Sequence, residues 1–368
     1  MENLTVIGIG KLGLGFALLL EKSGFNILGV DIFPEYVSNL NNKKYNTNEP
    51  KYTELLSQSK NFKATTSLQE GLEFSNYIFI IVQTPNSGGD RFYDHSILSN
   101  LLCKINTMEV KDKNFIIGCT VMPKYIDEVG ELLISSCQNC TLSYSPEFVA
   151  QGDIINGFLK PDMILIGTKS KSVSKELIQI YSKMVINDPK YNVMTPLEAE
   201  IVKISINGYI TTKLSFANMI SDVCDISHAN KNVVLKAIGN DSRISNRYFK
   251  PGYSFGGPCF PRDTRALKQY VEQCHINSNI LTATTEYNQE HINFQVKQLL
   301  DLDLDVYRFE NICYKENSKV KIIEESAKLK IAKKLVEHGK RVIIIDIPSL
   351  INEVKKEYGK IFEYEIEI

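Results

Sequence analysis

The chain has 368 residues, of which 43% are hydrophobic and 23% charged, and its 42 basic and 43 acidic side chains leave a net charge of −1. This composition excludes a disordered, collagenous or coiled-coil chain, and the charge balance gives no reason to expect a nucleic acid as partner. The length corresponds to two or three domains. Eight cysteines are too few for a disulfide scaffold, so we expect reduced thiols in the cytoplasm.

Short apolar runs alternate with amphipathic stretches along the first half of the chain. The apolar stretch 4–20 is interrupted by glycines and has no leading Lys or Arg, so it predicts neither a signal peptide nor a membrane span. Runs rich in Ile, Val and Phe predict strands at 4–7, 27–30, 77–82, 115–119 and 163–166. Helices are predicted between several of them, for example at 12–22 and 125–136. This alternation is typical of βαβ units around a parallel sheet.

The first predicted strand runs into a Gly-x-Gly-x-x-Gly segment and then into a helix. Gly8 suits the tight turn, Gly10 lets the backbone approach a pyrophosphate, and Gly13 lets the helix pack closely on the strand. Asp31, at the end of the second strand, would bind the ribose hydroxyls of NAD and repel the 2′-phosphate of NADP. We therefore predict an NAD site rather than a glycine turn without a ligand. The predicted contacts are Gly8, Ile9, Gly10, Lys11, Leu12, Gly13 and Asp31.

The middle of the chain has helical character, and its end returns to α/β. Residues 197–238 predict a long helix followed by a shorter one, and a loop covers 241–261. Helix resumes at about 264 and continues, with a break, to about 300. Strands at 306–312, 341–345 and 361–366 then alternate with helices at 327–338 and 350–358. The predicted fold is an N-terminal Rossmann-like parallel sheet, a central long-helix region and a short C-terminal Rossmann-like α/β domain.

The loop before the helix at about 264 carries the most informative cysteine. Cys259 follows Gly256 and Gly257 and stands just before the predicted helix start. A thiol near a helix N-terminus and near cations can have a lowered pKa, which would make it a nucleophile. Asp263 is suited to be the N-cap of this helix. On spacing alone, an inert buried cysteine beside a structural cap is an equally good interpretation.

Two polar side chains share a face of the predicted long helix. Lys203 and Asn207 lie four residues apart, and residues at this spacing are neighbours on a helix surface. One interpretation is a solvated lysine beside a polar neighbour, and the other is a pair that holds a reacting alkoxide. Periodicity alone favours the first.

Taken in chain order, these motifs resemble the UDP-glucose/GDP-mannose dehydrogenase family. The resemblance rests on the N-terminal glycine segment, the Thr84-Pro85 turn, Cys119-Thr120-Val121 and residues 145–152. It continues through the helix at 200–218, residues 237–244 and the cysteine loop, and covers about residues 1–295. We accordingly predict an NAD-binding domain at 1–195, a central helical domain at 196–295 and a shortened domain for the nucleotide sugar at 296–368.

The resemblance implies an enzyme that oxidises the C6 hydroxyl of a nucleotide sugar to a carboxylate and reduces two NAD per turnover. Cys259 would attack the C6 aldehyde to give a thiohemiacetal, and a second hydride transfer would give a thioester that water hydrolyses. Lys203 would stabilise the developing oxyanion with help from Asn207.

Three further catalytic residues are implied by the same match. Glu147 would be the general base for thioester hydrolysis. Asp263 would hold an active-site water and help to position Lys203. Thr120 would bind a water near the nicotinamide.

The match also implies binding residues and an assembly. Arg243 falls where a neighbouring subunit reaches into the site, and the long central helix is the family's dimer core, so a homodimer is implied. The remaining implied cofactor contacts are Thr84, Pro85, Thr120, Gln151 and Arg262. The implied substrate contacts are Glu147, Phe148, Val149, Ala150, Lys203, Asn207, Arg243, Phe249, Lys250, Gly256, Tyr314 and Lys315.

Two positions depart from the family pattern. Gln151 stands where the family often has Glu, and because Gln cannot act as a base, hydrolysis would depend more heavily on Glu147. Residues 316–326 lack the Arg expected after Lys315. An Arg–phosphate contact would be lost there unless Lys319 or Lys321 replaces it.

The cysteine loop also bears on the substrate. Its sequence, with Pro258 before the cysteine, is similar to the UDP-glucose and GDP-mannose branches and unlike the branch for N-acetylated sugars. UDP-glucose, oxidised to UDP-glucuronate for polysaccharide biosynthesis, is therefore our first choice of substrate. GDP-mannose or another nucleotide sugar is the alternative.

Two other functions stay open from the sequence. A two-electron dehydrogenase would share a Rossmann domain and a Lys-x-x-x-Asn helix, but it needs no nucleophilic thiol. A non-catalytic NAD- or nucleotide-sugar-binding protein would explain the departures, but not the retained Cys259. The single Cys-x-x-Cys of Cys137 and Cys140 is interpreted as two unrelated thiols, and the five histidines have no metal-ligand spacing, so no metal is predicted.

Overall fold

The computed structural model describes residues 2–85, 92–315 and 320–367. Contacts divide the chain into two compact units, Met1–Lys203 and Ile204–Ile368. Within the described ranges, the search for a helix long and apolar enough to cross a membrane finds none.

An eight-stranded sheet forms the centre of the first unit. Its strands are β1 (Asn3–Ile7), β2 (Asn26–Val30), β3 (Phe62–Thr65), β4 (Tyr77–Ile80), β5 (Asn114–Ile117), β6 (Thr141–Tyr144), β7 (Met163–Gly167) and β8 (Lys190–Met194). They lie in the order β3-β2-β1-β4-β5-β6-β7-β8, and all neighbours are parallel except β6 and β7. Clusters of buried hydrophobic side chains cover both faces of the sheet. Most strands therefore consist of continuous apolar runs.

Helices connect these strands. They are α1 (Lys11–Lys22), α2 (Pro34–Asn41), α3 (Tyr52–Gln58), α4 (Leu68–Phe74), α5 (Ser96–Thr107), a π-helix (Tyr125–Gly130) that leads into α6 (Glu131–Leu133), α7 (Ile154–Leu159) and α8 (Lys171–Met184). The strand order reverses between β1 and β4, and ligands of open parallel sheets bind beyond the carboxyl ends of the strands at such a point. Gly8 follows β1, Thr84 follows β4 and Thr120 follows β5, so all three lie at this edge.

The second unit consists of helices followed by a small sheet. The long helix α9 (Pro196–Ile226) begins in the first unit and is followed by α10 (Lys231–Gly239), α11 (Phe260–Gln273), α12 (Asn279–Leu300), β9 (Val306–Glu310), α13 (Ala327–Glu337), β10 (Arg341–Asp346), α14 (Pro348–Tyr358) and β11 (Glu363–Ile366). The three strands are parallel in the order β11-β10-β9. Ile292 and Val296 of α12 share a buried cluster with Tyr307 and Ile344, so α12 covers this sheet.

The predicted fold class is confirmed, with three local differences. The helix predicted from about 264 begins at Phe260, because Pro261 suits a first helical turn. The prediction of Asp263 as its N-cap is therefore wrong: Cys259 occupies that position and Asp263 lies inside the helix. The helix predicted at 125–136 is a π-helix with a short α-helical end. Three strands, β3, β6 and β8, were not predicted.

Candidate active site

The glycine turn after β1 has the shape that a pyrophosphate needs. Gly8 has φ +85°, and a Cβ there would lie 2.5 Å from the Ile81 carbonyl oxygen. A Cβ on Gly13 would lie 2.0 Å from the Gly8 oxygen, whereas a Cβ on Gly10 would meet nothing within 4 Å. Packing therefore requires the outer two glycines, and Gly10 leaves open space at the N-terminus of α1, where free N–H groups favour an anion.

Side chains from α2 and α3 hold this turn in place. The Tyr36 hydroxyl donates to the Ile9 carbonyl at 2.7 Å, and the Tyr52 hydroxyl donates to the Lys11 carbonyl at 2.5 Å. Asp31 is partly buried directly after β2, and this burial raises the pKa of its carboxyl, opposed by neighbouring backbone N–H groups. The turn, the free helix end and the carboxylate fit NAD. Sequence reasoning missed both tyrosines, since their partners are backbone atoms distant in sequence.

The ends of β4 and β5 contribute the next predicted residues. Thr84 is buried, and the Pro85 carbonyl accepts a hydrogen bond of 2.8 Å from the Asp94 backbone N–H. Thr120 is partly exposed beyond β5. Its neighbour Cys119 is buried, and burial raises the pKa of that thiol to about 12, which disfavours the thiolate at neutral pH.

Glu147, Phe148 and Lys203 lie together in the first unit. The Lys203 Nζ donates to the Glu147 backbone carbonyl and lies 4.3 Å from the centre of the Phe148 ring. Burial raises the pKa of the Glu147 carboxyl to about 8, opposed by the Lys203 charge and by a hydrogen bond of 3.4 Å from the Tyr181 hydroxyl. A carboxyl with a pKa near neutrality can take up and release a proton there.

The loop after Glu147 is largely exposed, and the buried Glu49 carboxylate holds its end. The Gly152 backbone N–H, at φ +91°, donates to both carboxylate oxygens of Glu49 at 2.9 and 3.0 Å. Glu49 is 3% exposed, whereas Ala150 and Gln151 are exposed and Val149 is partly buried. Glu49 carries no sequence motif, and sequence reasoning missed it.

The start of α11 brings together four predicted residues of the second unit. Cys259 is exposed at the N-cap position. Asp263, 2% exposed, accepts a hydrogen bond of 2.6 Å from the Asn207 amide, and the Arg262 Nε lies 3.7 Å from its other oxygen. An accessible sulfur thus stands one turn from a buried, hydrogen-bonded carboxylate.

The glycines before Cys259 pack against the C-terminal part of the same unit. A Cβ on Gly257, which has φ +79°, would lie 2.5 Å from the Tyr314 ring, and a Cβ on Gly256 would lie 2.0 Å from the Glu325 oxygen. Lys315 is exposed beside Tyr314. Of the two lysines considered as replacements for the missing Arg, Lys321 is exposed and Lys319 lies outside the described residues.

Three other predicted substrate residues differ in exposure. The Phe249 side chain is 4% exposed and packs with Ala217 and Leu235. Lys250 is exposed. The Arg243 side chain is 86% exposed and forms a 2.7 Å ion pair with Asp241.

The Cys-x-x-Cys segment lies in the first unit. The Cys137 and Cys140 thiols point at the carbonyls of Ile105 and Val110, at 3.8 and 3.6 Å, and burial raises the pKa of both. Among the residues that the structure describes, no group of three or more His, Cys, Asp or Glu side chains could hold a metal ion.

Comparison with known proteins gives one consistent family. Residues 2–185 match the NAD binding domain of the UDP-glucose/GDP-mannose dehydrogenase family, and residues 197–290 match its central domain. The UDP-glucose 6-dehydrogenase of Rickettsia conorii is 31% identical over 82% of this chain and 71% of its own length. That of Rickettsia bellii is 28% identical over 96% of this chain and 82% of its own length.

A solved structure agrees with the sequence relatives. The UDP-glucose dehydrogenase of Pyrobaculum islandicum has a TM-score of 0.88 and 26% identity, covering 100% of this chain and 86% of that chain. The predicted resemblance, a nucleotide-sugar dehydrogenase with NAD as cofactor, is confirmed. The chain belongs to the UDP-glucose/GDP-mannose dehydrogenase family.

Proposed function

We propose that this chain oxidises UDP-glucose to UDP-glucuronate through a thioester on Cys259. The observation that carries the proposal is the exposed Cys259 thiol at the N-cap of α11, one turn from the Asn207–Asp263 pair. Relatives and a structural neighbour named as UDP-glucose dehydrogenases support the choice of sugar. Bound NAD would supply the hydride acceptor for both oxidations, with the turn at Gly8 and the Asp31 carboxylate as its binding elements.

The chain's own side chains would act on the sugar as follows. Loss of a hydride and of the hydroxyl proton converts the C6 alcohol to the aldehyde. The Cys259 sulfur then adds to the aldehyde carbon while the thiol proton moves to the oxygen, and loss of a second hydride from C6 and of the hydroxyl proton to water leaves the thioester. The Lys203 ammonium and the Asn207 amide stabilise negative charge on the C6 oxygen. The ionised Glu147 carboxylate takes a proton from the attacking water, the carbon–sulfur bond breaks, and the thiol is regenerated.

The test is the number of NADH molecules formed per sugar. UDP-glucose, GDP-mannose and UDP-N-acetyl sugars are each given in limiting amount to the wild type, Cys259→Ser and the control Cys274→Ser, which changes an exposed thiol at the opposite end of α11. We expect two NADH with UDP-glucose in the wild type and the control, and loss of the second oxidation in Cys259→Ser.

Other outcomes would identify the alternatives. Two NADH with GDP-mannose alone would reassign the sugar. If one NADH forms per sugar and Cys259→Ser does not change this number, the thioester mechanism is wrong and a two-electron dehydrogenase is favoured. Binding of the sugar nucleotides without NADH formation would support a non-catalytic binding protein.

The proposal includes a homodimer formed through α9, with Arg243 contributed to a neighbouring site. Tyr209, Phe216 and Val223, spaced seven residues apart on α9, are 67%, 48% and 53% exposed, and an exposed apolar stripe of this kind favours a protein interface. The cytoplasmic location, which the cysteine count predicts, stays a prediction. So do the role in polysaccharide biosynthesis and the three domains, which follow from the family resemblance.

A further inference from the structure

We propose that Asn288 and His291 of α12 are positioning residues, which fix the position of the loop that runs from Gly252 to Cys259. The loop before Cys259 contains Gly252, Gly256 and Gly257, and glycine backbone has more conformational freedom than that of any other residue. A nucleophile needs a fixed position relative to the carbon that it attacks. This inference rests on the proposed role of Cys259.

Asn288 forms hydrogen bonds to the middle of the loop through its side chain and its backbone. Its Oδ1 accepts from the Phe255 N–H at 2.8 Å, and its Nδ2 donates to the Phe255 carbonyl at 3.0 Å. Its backbone carbonyl accepts from the Ser254 hydroxyl at 2.6 Å. Asn288, Ser254 and Phe255 are 9%, 6% and 7% exposed, so water competes little for these bonds. One asparagine therefore satisfies both backbone groups of a residue four positions before the thiol.

His291, one turn further along α12, fixes the beginning of the loop. Its Nε2 lies 2.8 Å from the Gly252 carbonyl, and because a carbonyl only accepts, Nε2 carries a proton there. Its Nδ1 lies 2.9 Å from Oδ2 of Asp222 on α9, and the same oxygen accepts from the Tyr287 hydroxyl at 2.8 Å. Asp222 and Tyr287 thereby orient the ring that holds the loop, as second partners of a histidine commonly do.

The opposite end of the loop is also tied down. The Gly257 N–H donates to the Glu324 carbonyl at 3.1 Å, and the Asp263 N–H donates to the Cys259 carbonyl at 2.8 Å. The backbone from Gly252 to Cys259 is thus anchored at both ends and in the middle. Removal of the α12 contacts would free the glycines, and the Cys259 thiol would lose its fixed position at the start of α11.

The test compares Asn288→Ala with Gln289→Ala, which changes the exposed neighbour on the same helix. The first readout is the rate of alkylation of Cys259 by iodoacetamide relative to that of exposed Cys274, measured by peptide mass spectrometry. The second is NADH formed per UDP-glucose in a single turnover. In Asn288→Ala we expect the alkylation ratio to fall by about fivefold or more and the NADH yield to fall from two toward one, since the aldehyde leaves before a displaced thiol captures it.

A second pair of variants separates positioning from loss of folding. His291→Gln keeps an amide donor for the Gly252 carbonyl and should retain most of the Cys259 reactivity, whereas His291→Ala should lose it. Unfolding would change the alkylation rates of Cys259 and Cys274 together. The fraction of protein that stays active would still form the wild-type number of NADH molecules per sugar. If Asn288→Ala does not fold, the two His291 variants decide the question.

Two outcomes overturn different claims. An unchanged ratio of Cys259 to Cys274 alkylation in Asn288→Ala and His291→Ala overturns the positioning role. Failure of the wild type to form two NADH with any sugar overturns the proposed function, while the alkylation readout, which needs no sugar, still decides the positioning role.

Discussion

The proposed chemistry depends on the surroundings of single side chains, and the partly buried Glu147 is one case. Burial raises the pKa of its carboxyl to about 8, while the Lys203 charge and the Tyr181 hydroxyl act in the opposite direction. A general base acts only in its ionised form. Thioester hydrolysis should therefore slow as the pH falls below about 8, and steeply so below pH 7.

Tyr181→Phe tests this assignment by removal of one hydroxyl group. The Tyr181 O–H donates to the Glu147 carboxylate at 3.4 Å and favours its ionised form, so its loss should raise the pKa of Glu147. We expect the acid limb of the kcat–pH profile to move upward by several tenths of a pH unit, because a hydrogen bond as long as 3.4 Å contributes about 1 kcal/mol or less. The profile is measured from pH 6 to 10, with Tyr77→Phe on β4 as control. A limb that stays in place excludes Glu147 as the titrating base.

Sequence motifs marked the residues with a proposed chemical role, but not the residues that contact and support them. Cys259, Lys203 and Asn207 could be singled out because a sequence pattern marks them. Asn288 lies 33 residues from Phe255, and its role exists only through the tertiary contact. Asp263 was predicted as the N-cap but lies one turn inside its helix, because the helix begins at Phe260 and Pro261 suits a first helical turn.

Among the elements, the π-helix Tyr125–Gly130 depends on a buried acid from another helix. Glu200 of α9 is 0% exposed and accepts hydrogen bonds from the Lys124 and Ile126 N–H groups at 2.7 and 2.8 Å. Burial nevertheless raises the pKa of Glu200 from 4.5 to about 7. The folded protein thus binds this proton more tightly than the unfolded chain, so stability is lost as the pH rises from about 4.5 through about 7.

Glu200→Gln should remove most of this dependence, because an amide does not titrate in that range while its oxygen still accepts a hydrogen bond. The pKa difference corresponds to a stability loss on the order of 3 kcal/mol between pH 5 and pH 8 in the wild type, and we expect a clearly smaller loss in the variant. Thermal unfolding at both pH values measures it, with exposed Glu54→Gln as control. If the stability of the wild type and of Glu200→Gln depends equally on pH, Glu200 does not titrate between pH 5 and pH 8.

Strands that carry a continuous apolar run could be predicted from the sequence, and strands without such a run could not. The strands at β1, β2, β4, β5 and β7 carry Ile, Val and Phe on two covered faces, and the structure confirms each of them. Strand β8 (Lys190–Met194) is partly exposed along its length and has no apolar run, because it lies at the edge of the sheet. Its identity as a strand comes from its pairing with β7, which local sequence does not encode.

At the scale of the whole molecule, the long helix α9 carries both proposed catalytic residues and the surface proposed for the dimer. Lys203 and Asn207 lie in its first half, and the exposed apolar stripe of Tyr209, Phe216 and Val223 begins just after them and continues toward its C-terminus. Apolar side chains at heptad spacing form one seam that a second helix can cover. In a two-fold dimer the same seam meets itself, so a charge introduced on one chain faces the same charge on the other.

A double variant of this stripe is therefore the sharpest test of the dimer. Tyr209→Glu with Val223→Glu places four like charges in a two-fold interface, and we expect the wild type at twice the chain mass of 41.7 kDa and the variant at the single mass. Ile280→Glu, at an equally exposed apolar position on α12, is the control that should remain a dimer. Light scattering after size exclusion gives the masses. A monomeric wild type would overturn the homodimer, and a variant that stays dimeric would move its interface away from α9. Since Arg243 is proposed to complete a neighbouring site, the monomeric variant should also lose UDP-glucose oxidation while it keeps its fold.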